Sequence, residues 1–321
     1  MNIIITGGAG FLGQRLASFL LDTPNLQRLT LADIVLPTAP GKGDKHNDKV
    51  RCVQTDLTSY QATQDLITSD TTAVFHLAAV VSAQAEANFD LGVQVNVQGT
   101  RNLLEAMRHN APGAMLIFAS SLAVFGGDLP DVITDSTAVM PQSSYGTQKA
   151  IAELWVNDYA RKGFIDGRVL RLPTVCVRPG KPNAAASSFA SSIIREPLHG
   201  QQTTCPVDVS LPLWLSSPEA VTHNLAHVLS IPAERFESIR ALNLPGITVT
   251  VAEMVDALRT VAGKEVAGRI DYQIEQAISD IVATWPSRFD TTTALDLGFE
   301  GDRTFEDIIR AFMASSVTSP S

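Results

Sequence analysis

Residues Ile3 to Gly13 constrain this chain more than any others. The apolar run Ile3-Ile4-Ile5-Thr6 stops at a turn containing Gly7, Gly10 and Gly13, and apolar residues resume at helical spacing with Leu12, Leu16, Phe19 and Leu20. The pattern predicts a buried strand, a tight turn and a helix. Such a turn lets the backbone approach a pyrophosphate, and the free N–H groups at the helix start face its charge. Gly7, Gly10, Phe11, Leu12 and Gly13 are therefore expected at a dinucleotide. The next strand reads Leu29-Thr-Leu-Ala-Asp33, and Asp33 follows Gly13 at the distance where an acid binds the adenosine ribose hydroxyls. A carboxylate there repels the extra phosphate of NADP, so NAD is the expected cofactor. The plainer alternative is a solvated aspartate at a strand end.

With 321 residues the chain can bury a sizeable core, and 45% hydrophobic with 18% charged residues fit a compact protein. A net charge of −9 argues against nucleic acid or an anionic membrane surface as partner. Cys52, Cys176 and Cys205 are too few and too scattered for a disulfide framework or a zinc site, which fits a reducing cytoplasm. The first apolar run has no basic lead and does not read as a signal peptide. No stretch is long enough to span a bilayer. Pro37–Asp48 reads as a surface loop and Ser315–Ser321 as a frayed tail.

Further strand-like runs are Val50–Gln54, Ala73–Leu77, Ala114–Ala119 and Arg168–Leu172, separated by helical patterns such as Val93–His109 and Tyr145–Arg161. This alternation predicts an α/β fold, a doubly wound parallel (Rossmann) sheet with ligands at the carboxyl ends of its strands. After Thr174 the rhythm changes. Ser217-Pro218-Glu219 opens one helix, Leu242-Asn-Leu reads as a short strand, and Thr250 with Glu253 opens another helix. We expect residues 1–174 to form the dinucleotide domain. Residues 175–321 are expected to form a smaller α/β substrate domain interleaved with it.

Tyr145-Gly-Thr-Gln-Lys149 carries the chemistry. Four residues on a helix place both side chains on one face. A lysine ammonium near a phenol favours the phenolate, and such a tyrosine can act as a general base. An ordinary surface Tyr/Lys pair is the alternative. Upstream, Phe118-Ala-Ser-Ser121 ends the fifth strand, and Ser121 can orient a substrate hydroxyl, with Ser120 as the competing choice.

Thr6–Gly13, Asp56-Leu57, His76-Leu-Ala-Ala79, Asn96, Ser121 and Tyr145-x-x-x-Lys149 together resemble the extended short-chain dehydrogenase/reductases, in family order across the first 175 residues. The resemblance implies catalytic Ser121, Tyr145 and Lys149. It puts Asp56 and Leu57 at the adenine and Ala78 and Ala79 on the nicotinamide side. Lys149 would bind the nicotinamide ribose as well. Asn96 would support the helix carrying the site, although the sequence alone equally allows a capping or core amide. Leu172 and Thr174 are counted with the cofactor residues. The resemblance also implies a homodimer built on the helices around Asn96 and Tyr145. Trp155 and Tyr159 are expected in packing or that contact.

Two departures weaken a nucleotide-sugar reading. Leu122 and Ala123 stand where dehydratases carry an Asp-Glu pair, and Arg171-Leu-Pro-Thr174 lacks the amide of the epimerases' Arg-x-x-Asn. The stretches Leu77–Glu86, Gln142–Lys149, Arg171–Asn183 and Trp214–Pro218 instead resemble a branch of the superfamily that oxidises the C2 hydroxyl of a four-carbon sugar acid such as D-erythronate. That resemblance implies an NAD-dependent sugar-acid dehydrogenase. A nucleotide-sugar epimerase using the same Ser/Tyr/Lys is the alternative, followed by a non-catalytic dinucleotide sensor. A sugar acid needs a counter-charge, for which Arg178, Lys181 and Arg195 are candidates. Ser82, Ser143 and Thr174 are candidate hydroxyl partners, and Asn183 with Ser187–Ser192 candidate lining. His223 and His227 share a helical face, but no third ligand accompanies them, and a structural role is expected.

Overall fold

The computed structural model describes residues 1–40, 48–180, 185–236 and 240–317. Part of the expected surface loop, the candidates Lys181 and Asn183, and the end of the tail lie outside these residues. The described chain forms two compact units. One comprises Met1–Ser121, Ser144–Arg171 and Thr222–Leu242, the other Leu122–Ser143, Leu172–Val221 and Asn243–Ser321.

The first unit opens with β1 (Asn2–Thr6), α1 (Phe11–Leu20), β2 (Arg28–Asp33), β3 (Val50–Gln54), α2 (Tyr60–Leu66) and β4 (Ala73–His76). Then come α3 (Ser82–Ala87), α4 (Phe89–Gly92), a π-helical segment (Val93–Gly99), α5 (Thr100–Asn110) and β5 (Met115–Ser121). After residue 143 follow α6 (Ser144–Arg161) and β6 (Asp166–Leu172). The one helix expected over Val93–His109 is thus π-helical in its first half and α-helical after it.

Together with β10 (Ala241–Asn243), which comes later in the chain, these strands build a seven-stranded sheet in the order β10-β6-β5-β4-β1-β2-β3. β1 pairs in parallel with both β2 and β4, so the strand order reverses there, and a crevice for ligands opens at such a reversal. Ile3, Ile5, Leu29, Leu31, Phe75 and Phe118 are almost fully buried, as expected for strands covered on both faces. Residues 222–242 are tied to this unit by Arg168 of β6. Its buried guanidinium donates to the carbonyls of Val228 (2.6 Å) and Ile231 (2.7 Å) and pairs with Asp166 at 2.6 Å. A buried charge persists only when paired and hydrogen-bonded in this way.

The second unit holds β7 (Thr174–Val175), α7 (Ser188–Leu198), β8 (Thr203–Cys205) and β9 (Pro212–Ser216). It also holds the start of α8 (Pro218–His227), then β11 (Ile247–Thr250), α9 (Val251–Ala262) and β12 (Ile270–Tyr272). Its sheets run β11-β9-β7 and β12-β8. The core includes Phe189, Ile193, Leu213, Leu215, Met254 and Leu258. Thr250 and Glu253 form the expected capping box on α9, and Ser217 Oγ accepts the Ala220 N–H at 3.0 Å. Segment 122–143 joins this unit through Phe125. Phe289 lies 5.9 Å from Phe125 and stacks on Trp214 at 5.1 Å.

Candidate active site

The glycine turn leaves no room for side chains. Gly7 has φ of 75°, and a Cβ there would lie 2.7 Å from the Ala78 nitrogen. A Cβ on Gly13 would meet the Gly7 oxygen at 2.2 Å. Gly10, which has no side chain to offer, stands at the N-cap of α1, and the first turn holds no acid. Its orphan N–H groups thus suit a phosphate. Asp33 closes the far side. Oδ2 accepts the Ala9 N–H at 3.0 Å and Oδ1 the Ile34 N–H at 2.7 Å, leaving lone pairs for hydroxyl donors. Asp56 is exposed and accepts from Thr58 N (2.9 Å) and Oγ1 (2.8 Å), whereas Leu57 is buried. Phe11, Leu12, Ala78 and Ala79 are half-buried. This cradle fits a dinucleotide.

Beneath it runs a buried polar chain. Thr100 Oγ1 donates to the Asn96 carbonyl at 2.7 Å, so it must accept from His76 Nε2 at 2.9 Å. His76 Nδ1 is then the acceptor, and Thr6 Oγ1 donates to it at 2.7 Å. Burial, with Lys149 adding to it, lowers the His76 pKa to about 3, so the ring is neutral. Asn96 is also buried. Its Oδ1 accepts from Val80 N at 2.8 Å, and Nδ2 donates to Val80 O at 2.9 Å and Gln148 Oε1 at 2.7 Å. Its amide thus holds the backbone just beyond Ala78-Ala79 and ties it to α6.

Tyr145 and Lys149 lie one turn apart on α6. Tyr145 is half-buried, and the Lys149 ammonium lies 5.8 Å from its ring centroid. Lys149 is 3% exposed, donates to the Ala119 carbonyl at 2.8 Å and sits 4.6 Å from the Phe118 ring centroid. Burial lowers its pKa to about 8, against an opposing pull from Glu153. The two adjacent serines have different surroundings. Ser120 is buried and donates to Glu153 Oε1, whereas Ser121 is half-buried at the end of β5. Ser82 is buried at the start of α3, and Glu86 on the same helix accepts the Ser144 N–H at 2.9 Å, beside Tyr145.

Ser143, Leu172, Thr174, Arg178 and Arg195 fall in the second unit. Leu172 and Thr174 are buried, and Ser143 and Arg178 are half-buried. The Arg178 backbone is held at both ends. Its N–H donates to Ser191 Oγ at 3.0 Å, and its carbonyl accepts from Arg195 Nη1 at 2.6 Å. Arg195 itself is buried and pairs with Glu196 at 2.6 Å, so its charge is already countered. His223 stacks on His227 at 6.2 Å and meets the edge of Phe19. Trp155 and Tyr159 pack on the core of the first unit, as the packing alternative expects.

Residues 3–214 match the model of the NAD dependent epimerase/dehydratase family. The chain belongs to this family. Its cofactor is NAD, and the residues of the glycine cradle are those that fit it. Within the family the chain is 51% identical to the D-erythronate dehydrogenase of Haemophilus influenzae, over 98% of this chain and 99% of that protein. It is 52% identical to the D-erythronate dehydrogenase of Cupriavidus necator, over 98% of each. A solved nucleoside-diphosphate-sugar epimerase from Agrobacterium tumefaciens superposes with a TM-score of 0.92 at 39% identity, covering 99% of this chain and 94% of that one. Among the described residues no helix is long and apolar enough to cross a membrane.

One buried pair beside these residues does not stand out in the sequence. Glu153 and Arg171 form a buried ion pair at 2.9 Å directly behind Lys149 and Ser120. The available signal was the spacing of Tyr145, Lys149 and Glu153, which repeats every four residues along α6.

Proposed function

We propose that the protein oxidises the C2 hydroxyl of D-erythronate to the 2-oxo acid, with NAD as acceptor. The observation that carries this is identity above half, over nearly the full length, to two D-erythronate dehydrogenases. That identity extends through the second unit, where the candidate carboxylate ligand lies. The epimerase reading rests on a less similar relative.

In this reading Tyr145, as phenolate, takes the proton from the C2 hydroxyl. Ser121 donates a hydrogen bond to the same oxygen. The Lys149 ammonium favours the phenolate and has donors left for the nicotinamide ribose after bonding Ala119. NAD, when bound, accepts the hydride from C2. Gly7, Gly10, Phe11, Leu12, Gly13 and Asp33 hold its pyrophosphate and adenosine half, with Asp56 and Leu57 at the adenine. Ala78, Ala79, Leu172 and Thr174 flank its nicotinamide half, and Asn96 supports that wall. Arg178 pairs with the substrate carboxylate, and Ser82, Ser143 and Thr174 offer hydroxyls.

The test is reduced-nicotinamide absorbance with NAD and a panel of four-carbon sugar acids. A stoichiometric rise with D-erythronate, absent in Tyr145→Phe, is expected. Silence across the panel together with heat stabilisation by a uridine or thymidine diphosphate would move the assignment to an epimerase.

We also infer a homodimer built on the helices around Asn96 and Tyr145; on the second of these, α6, Leu154 is 62% exposed in the single chain. A monomer in sedimentation at micromolar concentration would remove that inference. A cytoplasmic location fits the NAD chemistry and the free thiols of Cys52, Cys176 and Cys205.

A further inference from the structure

Tyr145, Lys149 and Glu153 form one stripe along α6, and the third of them has no part in the reaction described above. Glu153 is 3% exposed, and its partner Arg171 on β6 is 7% exposed. The guanidinium grips both carboxylate oxygens. Arg171 Nε lies 3.1 Å from Oε1 and 3.2 Å from Oε2, and Nη2 lies 2.9 Å from Oε2. Oε1 also accepts from Ser120 Oγ at 2.5 Å. One carboxylate therefore ties together α6, β5 and β6.

The placement of Ser120 gives this tie its consequence. The residue before it, Ala119, supplies the carbonyl that accepts from Lys149 Nζ at 2.8 Å. The residue after it is Ser121. Fixing Ser120 therefore fixes both the acceptor of the ammonium and the backbone that carries Ser121. A buried ion pair is weak evidence of stability as such, because desolvation offsets most of the attraction. The bonds of Glu153 to Ser120 and Arg171 point to positioning instead.

We propose that Glu153 is a positioning residue that clamps the end of β5 against α6 and keeps Lys149 charged, so that Tyr145 can ionise. This rests on the roles given to Tyr145 and Lys149 above. The other groups near the ammonium do not replace the carboxylate. His76 on β4 is neutral, Asn96 in the π-helical segment is uncharged, β5 offers the Ser120 hydroxyl, and β6 offers a second cation in Arg171. Burial pulls the lysine towards its neutral form, and Glu153 opposes that pull. With the carboxylate neutralised, Lys149 loses its proton more readily. The phenolate then loses its counter-charge, and Tyr145 ionises at higher pH.

The test titrates Tyr145 directly, without substrate. Phenolate absorbance near 295 nm is followed against pH for the wild type and for Tyr145→Phe. Their difference isolates this residue from Tyr60, Tyr159 and Tyr272. The same pair is then measured in a Glu153→Gln background. The titration is expected to move up by about one pH unit in that background, with the rising limb of kcat/KM moving alongside it. A folded Glu153→Gln protein whose Tyr145 titration is unmoved overturns the proposal, even if activity falls uniformly at every pH. Where Glu153→Gln fails to fold because Arg171 is left unpaired, Glu153→Gln with Arg171→Gln leaves no lone buried ion. A smaller upward displacement is expected there, because the opposing cation leaves with the carboxylate, and a displacement downward overturns the proposal. Because the absorbance needs no sugar acid, a wrong substrate assignment fails the panel assay and leaves this titration intact.

Discussion

Asp33 binds the turn that precedes it. Its Oδ2 accepts the Ala9 N–H at 3.0 Å, joining the end of β2 to the glycine loop after β1. In the proposed complex the carboxylate therefore has two tasks, setting the loop and offering charge to a ribose. Asp33→Ser is expected to relax discrimination against NADP and also to weaken NAD binding by about ten- to a hundredfold, since a charge-assisted bond contributes about 1.5–3 kcal/mol. Binding of both cofactors, followed by fluorescence titration, checks this. Comparable turnover with NAD and NADP in the unmodified protein would refute the preference at its root.

Gly13 is the tightest point of the same loop. An added methyl would lie 2.2 Å from the Gly7 oxygen, which is backbone and cannot rotate away. Gly13→Ala must therefore push α1 off the loop, at a cost of about 1–3 kcal/mol. A lower melting temperature and loss of NAD binding are the expected outcomes. Unchanged values for both would mean that the loop is looser than its geometry implies.

The glycines and Asp33 were legible because each answers a local demand, backbone space or a charge at a strand end. The caps at Ser217 and Thr250 were legible for the same reason. The sequence favours Ser121 over Ser120 without showing which of them is buried, because neighbouring strand residues face opposite sides and only the position of Glu153 tells which side is buried. That position depends on α6 meeting β5 and β6, which no window of sequence contains. The π-helical turns around Asn96 were hidden likewise, since the 3.6-residue pattern continues on either side. Nor does periodicity show that residues 222–242 return to the first unit. The anchor there is Arg168, a charged residue in a buried strand.

His76 makes stability depend on pH. Its folded pKa is lowered to about 3, whereas unfolded histidine titrates near 6.5. Above 6.5 the ring is neutral in both states and its hydrogen bonds contribute fully. As pH falls below 6.5 the unfolded chain takes up a proton that the folded chain refuses, and stability drops by about 1.4 kcal/mol per pH unit from this group. His76→Asn removes the titration. Urea unfolding at pH 7, 6 and 5 should show the wild type losing stability more steeply than the variant, even though the variant starts lower. Parallel losses would mean that His76 takes up a proton in the native state.

Arg178 is the last candidate with a sharp expectation. Its backbone is anchored on both sides by Ser191 and Arg195, and the Arg195 charge is matched by Glu196. Arg178 is half-buried as a residue. If it pairs with the sugar-acid carboxylate, that bond exists before and during hydride transfer and contributes equally to both. Arg178→Met should therefore raise KM for D-erythronate by roughly ten- to a hundredfold, with little change in kcat and none in NAD affinity. Arg178→Lys should recover only part of the loss, because a point charge cannot reproduce a two-bond grip. An unmoved KM in Arg178→Met would hand the carboxylate to the hydroxyls of Ser82, Ser143 and Thr174. Single alanine substitutions at those three would then show which of them carries it.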